Sequence, residues 1–118
     1  MKIDIIKDAA AALKKIEEAG IPVQQGWYDE NIKKCHVTLW NIGEVDIDFS
    51  DDGAEGEKHQ IQITIFSQKD EVKLARQIKA LMLNNDFSYD GRNADEAAAE
   101  NGIYMKAQRF SKIYETEE

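Results

Sequence analysis

The sequence has little that would hold a fold together covalently or place it in a membrane. Cys35 is the only cysteine among 118 residues, which excludes an internal disulfide and a zinc site built from several cysteines. No apolar run approaches the length of a membrane span. Charges interrupt the apolar positions of the N-terminal segment, which is unlike an export signal. We therefore expect a chain that is made and kept in a cytoplasm, without a membrane partner.

Positive charge is also scarce. Lysine and arginine number 15 against 23 aspartates and glutamates, giving a formal net charge of -8, and the basic residues are scattered along the chain. Such a chain repels nucleic acid, so sequence-specific binding of DNA or RNA is disfavoured. The same charge is compatible with a role in which DNA slides past without sticking.

Motifs that carry catalysis are missing as well. The sequence has no glycine-rich phosphate loop, nucleophile elbow or paired-histidine motif. Cys35 and His36 are adjacent, but neighbours on a strand point to opposite faces. We expect Cys35 to be a core thiol and His36 a surface histidine, and no ligand spacing supports a metal role for His59. The prediction is a protein that is not an enzyme and has neither cofactor nor metal.

The chain is long enough for one domain, 1–118, with a real core. Apolar residues at helical spacing predict an amphipathic helix from about Ile3 to Ala19, ended by Gly20 and Pro22. A second wide apolar face, which includes Leu74, Ile78 and Met82, predicts another helix that runs to about Leu83.

Alternating segments predict the strands. They are "CHVTLW", "EVDIDF" with Val45, Ile47 and Phe49 inward, "HQIQITIF" and "GIYMKAQRFSKIY". "NIGE" is interpreted as a tight turn between the first two strands, and the polar segment "SYDGRNADEAAAENG" as a long loop. The expected fold class is α+β, a two-layer sandwich of a mainly antiparallel sheet of about four strands with two amphipathic helices on one face, in the order α-β-β-β-α-β.

The acidic stretch "DIDFSDDGAEGEKHQ" has two interpretations. Asp48, Ser50, Asp52 and Gly53 match the first positions of a calcium-binding loop, but His59 stands where that loop needs a bidentate glutamate. The flanking segments are also predicted strands, whereas the calcium motif requires helices. We therefore favour a solvated acidic connection between two strands.

Aromatic residues point to a protein partner. Trp27 and Tyr28 fall in a predicted loop, and Trp40 and Phe66 fall on the outward positions of strands, where a monomer usually has polar side chains. The alternatives are that the first loop folds back over them, or that a bulge reverses the alternation of a strand.

The order of several short motifs resembles the tail completion, tail terminator or head-tail joining proteins of long-tailed bacteriophages and prophages. These motifs are "AGIPV", "HVTLW", "SDDGAEGE", "QIQITIFSQ", "NNDF" and "GIYMKAQRF", and they extend from about Ala19 to Phe110. The resemblance implies a structural protein that forms a ring, expected to be a hexamer, at the head-proximal end of the tail tube. Its partners would be its own copies, the tail tube and the head connector, with DNA passing through the ring and the virion tail as its final location.

A closed ring requires two different patches on each subunit. The residues expected in them are Trp40 and Phe66 from the sheet and Asp51, Asp52, Glu55 and Glu57 from the acidic stretch. The alternative function is a small acidic cytoplasmic regulatory or inhibitor domain that binds one protein partner.

Overall fold

The computed structural model describes residues 3–26, 34–48, 55–92, 96–99 and 102–116. Strands dominate the described part of the chain, and helices cover them, so the predicted α+β class is confirmed. The elements in chain order are α1 (Ile5–Ala12), α2 (Lys14–Glu18), β1 (Val23–Gln25), β2 (His36–Asp48), β3 (Glu55–Ser67), α3 (Val72–Asn84), β4 (Ser88–Arg92), β5 (Glu96–Ala99) and β6 (Ile103–Thr116).

The described strands form one mixed sheet in the order β1-β2-β3-β6-β4, and β5 also pairs with β6. β1 runs parallel to β2, and the other pairs are antiparallel. The predicted sheet of about four mainly antiparallel strands therefore matches only the centre. β1 was missed because three residues are too few to show an alternation, and the predicted long loop contains β4 and β5.

The "NIGE" segment is not a turn. β2 runs without a break from His36 to Asp48, and its pairing with β3 shifts by one residue between Asn41 and Gly43. An extra residue in one strand is a β-bulge, which bends the strand without ending it. The two strands predicted on either side of "NIGE" are therefore one strand.

The acidic stretch connects β2 to β3. The pairing of these two strands begins next to the connection, with Asp48 opposite Glu55. This agrees with the interpretation as a link between strands, and the flanking elements are not the helices of a calcium motif. Ser50, Asp52 and Gly53 lie outside the described residues.

All three described helices contribute to one core on one face of the sheet, as expected. The predicted first helix is interrupted at Leu13, which caps the end of α1 and the start of α2. Its apolar stripe continues through the interruption, because Leu13 and Ile16 are buried like Ile5 and Ala9. From α3, the core receives Leu74, Ala75, Ile78 and Met82.

We call the covered side of the sheet the helix face and the opposite side the second face. The helix face carries Ile61, Ile63 and Ile65 of β3, with Val37 and Leu39 of β2 beside them. In β6 it also carries two buried polar residues. Lys106 Nζ lies 3.1 Å from Asp70 Oδ1, and Gln108 Nε2 donates to the Ala75 carbonyl at 3.0 Å. These contacts explain how polar side chains fit beneath α3.

The bulge reverses the alternation of β2. A regular ladder continued from Leu39 and Ile63 would pair Glu44 with Lys58, but Glu44 instead pairs with His59 on the helix face. Val45 consequently lies on the second face and is exposed. Val45 and Ile47 were predicted to point toward the core. Because they lie on the second face, this prediction is wrong.

Candidate functional site

A histidine and two glutamates meet on the helix face just beyond the bulge. His59 Nε2 lies 2.8 Å from Glu57 Oε1 and 3.4 Å from Glu44 Oε2. One potential ligand atom from each residue falls within 4.8 Å of the other two. We call this group the Glu-Glu-His cluster. It is the one group of at least three such side chains with converging ligand atoms in the described parts of the chain.

The backbone explains why these three side chains converge. Glu44 and His59 are directly opposite each other on β2 and β3. Glu57 lies two residues before His59, so its side chain projects from the same face of β3. Directly opposed strand residues have Cβ atoms about 4.5–5.5 Å apart, which is within reach of glutamate and histidine side chains.

The three side chains of the cluster differ in their exposure to solvent. The side chain of His59 is 9% exposed, that of Glu57 29% and that of Glu44 63%. They line an open cleft of ≈ 420 Å³, together with Asn41 and the segment that leads into α1. Asp4 is among the residues of that segment. Water and small ions therefore have access to the cluster.

Electrostatics and packing hold the cluster in place. The hydrogen bond with His59 is the main reason why the pKa of the Glu57 carboxyl is lowered, and a hydrogen bond with Glu44 adds to the effect. The ring of Tyr114 meets the His59 ring edge-on at 5.2 Å between centroids. Tyr114 donates to Asp8 Oδ2 at 2.6 Å, and burial together with that carboxylate raises the pKa of the Tyr114 phenol.

Sequence reasoning missed this cluster. The expectation for His59 considered only ligands close by in the sequence, whereas Glu44 comes from another strand and reaches the helix face only because of the bulge. The available signal was the pair Glu57 and His59, which share one strand face at a spacing of two residues.

The second face carries exposed apolar side chains. Trp40 is 49% exposed, Val45 64% and Ile113 52%. Val45 and Ile113 flank Lys58 in one cross-strand row, and Trp40 lies on the same face nearer the centre of the sheet. We call these three residues the apolar patch. The expectation that Trp40 points outward is confirmed, and Val45 and Ile113 were not predicted to join it.

Phe66 and His36 were expected at the surface, but both are buried. Phe66 is only 4% exposed, and its ring stacks on that of His36 at 5.3 Å with an interplanar angle of 21°. His36 is fully buried, and its Nδ1 lies 3.0 Å from the Lys34 carbonyl oxygen. The second face is therefore buried at this end of the sheet, and a docking surface there does not include the Phe66 ring directly.

The remaining predicted residues are distributed unevenly. Glu55 is exposed at the start of β3, and Glu57 belongs to the Glu-Glu-His cluster. Asp51 and Asp52 lie outside the described residues. Cys35 is half-buried against the core, and burial is the main reason why the pKa of its thiol is raised.

Comparison with solved structures shows that a similar fold occurs in the virion of a gene transfer agent. The chain is similar to a chain from the "Virion of native gene transfer agent (GTA) particle", with a TM-score of 0.50 and 15% sequence identity. The match covers 92% of this chain and 84% of the other. No protein-family model and no curated protein matches the sequence.

Proposed function

We propose that this chain is a structural subunit of a phage, prophage or phage-like particle, and specifically a tail terminator or tail completion protein. It forms a ring at the head-proximal end of the tail tube, where it ends tube growth and joins the tail to the head. It acts through repeated protein contacts and performs no catalysis.

The observation that carries this proposal is the agreement between two independent resemblances. The order of short motifs resembles tail completion proteins, and the fold resembles a chain of a gene transfer agent virion over 92% of the present chain. The structural match extends over helices and strands alike, so it is more than a shared hairpin.

The apolar patch supports a protein interface. Isolated exposed apolar residues are common on monomers, but a tryptophan, a valine and an isoleucine on one sheet face form a surface that gains from being covered. Trp40 also has the size and rigidity typical of residues that dominate binding energy at interfaces. We propose that this patch packs on the next subunit of the ring.

The elongated shape of the molecule offers long strands for contact with the next subunit. The molecule measures 52 × 28 × 23 Å, and its long strands β2, β3 and β6 span about 43 Å at 3.3 Å per residue. A head-to-tail ring needs a second, different patch on each subunit. The acidic residues Asp51, Asp52, Glu55 and Glu57 are proposed for that patch or for the channel wall, where their charge would let DNA pass without binding.

A matched pair of valine substitutions tests the proposal. Val45→Lys places a charge in the apolar patch, whereas Val72→Lys places the same charge on an exposed valine at the start of α3. The variants are mixed with tail tubes from the same genome and imaged by negative-stain electron microscopy. We expect unaltered protein and Val72→Lys to cap the tubes with rings, and Val45→Lys to lose at least about tenfold in capping.

Two results would contradict the proposal. If unaltered protein neither caps tubes nor forms rings with them, the tail-end role is wrong. If Val45→Lys caps as well as Val72→Lys, the apolar patch is not the interface. Light scattering during size-exclusion chromatography gives the mass of each variant and shows whether a ring forms before the tube is met.

A further inference from the structure

The Glu-Glu-His cluster has the composition of a metal site. An imidazole nitrogen with two carboxylate oxygens matches the ligands of divalent transition metals, above all Zn²⁺. Calcium and magnesium prefer sites made wholly of oxygen, so the central position of His59 argues against them. The three residues thus define the chemical class of ion before any distance is considered.

The distances fit a site that needs only small adjustments. Zinc–nitrogen and zinc–oxygen bonds of about 2.0–2.2 Å place the ligand atoms of a tetrahedron roughly 3.3–3.6 Å apart. His59 Nε2 already lies at 2.8 Å and 3.4 Å from the two carboxylates. Since Glu44 is mostly exposed, its side chain has the freedom to complete the convergence.

His59 is the fixed member of the cluster. Its side chain is more than nine-tenths buried, yet its Nε2 points at the two carboxylates that line the open cleft. The Tyr114 ring, anchored to Asp8 of α1, packs against the imidazole and restricts its rotation. A preoriented ligand lowers the entropic cost of binding an ion.

The bulge brings the third ligand to the same face. Without the one-residue shift after Asn41, the regular ladder would have placed Val45 opposite Glu57 and Glu44 on the second face. Bulges commonly re-aim a side chain at a functional position. The shift here places a carboxylate beside the histidine and moves an apolar side chain away from it.

We propose that Glu44, Glu57 and His59 bind one divalent transition-metal ion of the zinc class, with water from the cleft completing the coordination. The ion would tie β2 to β3 just beyond the bulge. This inference does not rest on the role in a virion, and it concerns only residues of one chain.

Calorimetric titration of the chelator-treated full chain with zinc chloride tests the inference. We expect saturable binding of one ion per chain, and at least about tenfold weaker binding after Glu44→Gln, which removes an exposed ligand. The matched control is Glu115→Gln, because Glu115 is an exposed strand glutamate near the same end of the sheet. That control should bind zinc like the unaltered chain.

Nuclear magnetic resonance separates a site at His59 from other binding. Zinc should shift the ring signals of His59 and leave those of the buried His36 in place. His59→Asn should abolish binding, and circular dichroism establishes whether this variant is folded. If His59→Asn is unfolded, the zinc affinity of Glu44→Gln and the ring signals of His59 decide the test.

Several results would overturn the inference. They are absence of saturable binding at millimolar zinc, equal weakening by Glu115→Gln, unchanged His59 ring signals, or equally tight binding of calcium, which would mark a general acidic surface. A failure of the tube-capping experiment would leave these measurements unaffected. The two proposals can therefore fail separately.

Discussion

The two ends of the central strands differ sharply in how they are covered. In the first, residues 36–39 of β2 and 61–67 of β3 are buried on both faces, including the polar Thr38 and Thr64. In the second, residues 41–46 of β2 are exposed, and residues 55–60 of β3 are buried only in part. We call these regions, each taken with the β6 residues that pair with it, the covered half and the projecting end.

We expect the covered half to provide most of the folding stability, whereas the projecting end carries the proposed functional sites. Burial of apolar surface is the main source of folding free energy, so the covered half should hold the register of the sheet. The projecting end contributes less to stability, and it carries the whole Glu-Glu-His cluster and most of the apolar patch. The proposed subunit interface and the proposed ion site both lie where solvent reaches part of the sheet.

The largest expected contrast comes from deleting one residue in each region. Deleting Thr38 from the regular ladder of the covered half forces the strand to slip or bulge, which moves buried side chains to the wrong face. We expect a loss of more than about 4 kcal/mol, enough to unfold a marginally stable domain. Deleting Ile42 only removes the extra residue of the bulge and leaves the same residues paired.

Circular dichroism during urea unfolding measures this contrast. The Ile42 deletion should stay folded, with a change within about 1 kcal/mol. It should also keep Glu44 beside His59, which through-space magnetic resonance contacts would show. Similar losses from both deletions would mean that the two regions are equally constrained.

A pair of isoleucine substitutions gives the next largest difference. Ile63 is fully buried in the covered half, whereas Ile113 is half exposed at the projecting end. Ile63→Ala should lower the free energy of unfolding by about 2–5 kcal/mol, through lost burial and the cavity left behind. Ile113→Ala should cost less than about 1 kcal/mol in the monomer. Urea titration of both variants checks this, and comparable costs would contradict the comparison.

Substitutions at two helix ends should change the free energy of unfolding by smaller amounts and with opposite signs. Gly20 after α2 and Asp86 after α3 both have positive φ, at 98° and 68°. Each occupies the left-handed position of a Schellman motif, in which Ile21 N–H donates to the Ile16 carbonyl and Phe87 N–H to the Met82 carbonyl. Gly20→Ala should destabilise the chain by about 1 kcal/mol, and Asp86→Gly should stabilise it by roughly 0.5–1 kcal/mol.

Thermal unfolding measures both changes, and hydrogen exchange locates them. Because the buried helix residues share one core with side chains of the covered half, the amides of that half should follow the altered stability more closely than those of the projecting end. Changes of the same sign in the two variants would show that the positive φ angles do not govern these ends.

The smallest effect concerns Cys35, just before β2. Burial raises the pKa of its thiol above the ordinary 9.0, so the neutral form is favoured in the folded chain. The associated stability is fully present below pH 9 and declines as the pH rises through the raised value. Alkylation by iodoacetamide at pH 8 should be slower in the folded chain than in urea. Equal rates would indicate that the thiol is freely exposed.

Much of the covered half could be predicted from the sequence. The alternation of Ile61, Ile63 and Ile65 defined the central strand, and the apolar stripes of both helical segments predicted the layer that covers it. These patterns are local and repeat over many residues, so errors at single positions do not destroy them. The surface placement of His36 was wrong because its strand is buried on both faces.

The projecting end was predicted poorly. Asn41 and Gly43 suggested a turn, since both residues tolerate turn conformations, but Gly43 instead lies at a bulge. The error reversed the expected faces of Glu44 and Val45. It thereby concealed the Glu-Glu-His cluster and the place of Val45 in the apolar patch.

Composition and the spacing of residues along single segments are enough to predict the α+β class, the amphipathic helices, the central apolar strand and the acidic charge. Which residues oppose each other across strands is established only when the whole sheet forms. That choice depends on one shifted position in β2, whose effect passes to every later residue of the strand. Pairing between distant segments is a cooperative property of the sheet, and no local pattern specifies it.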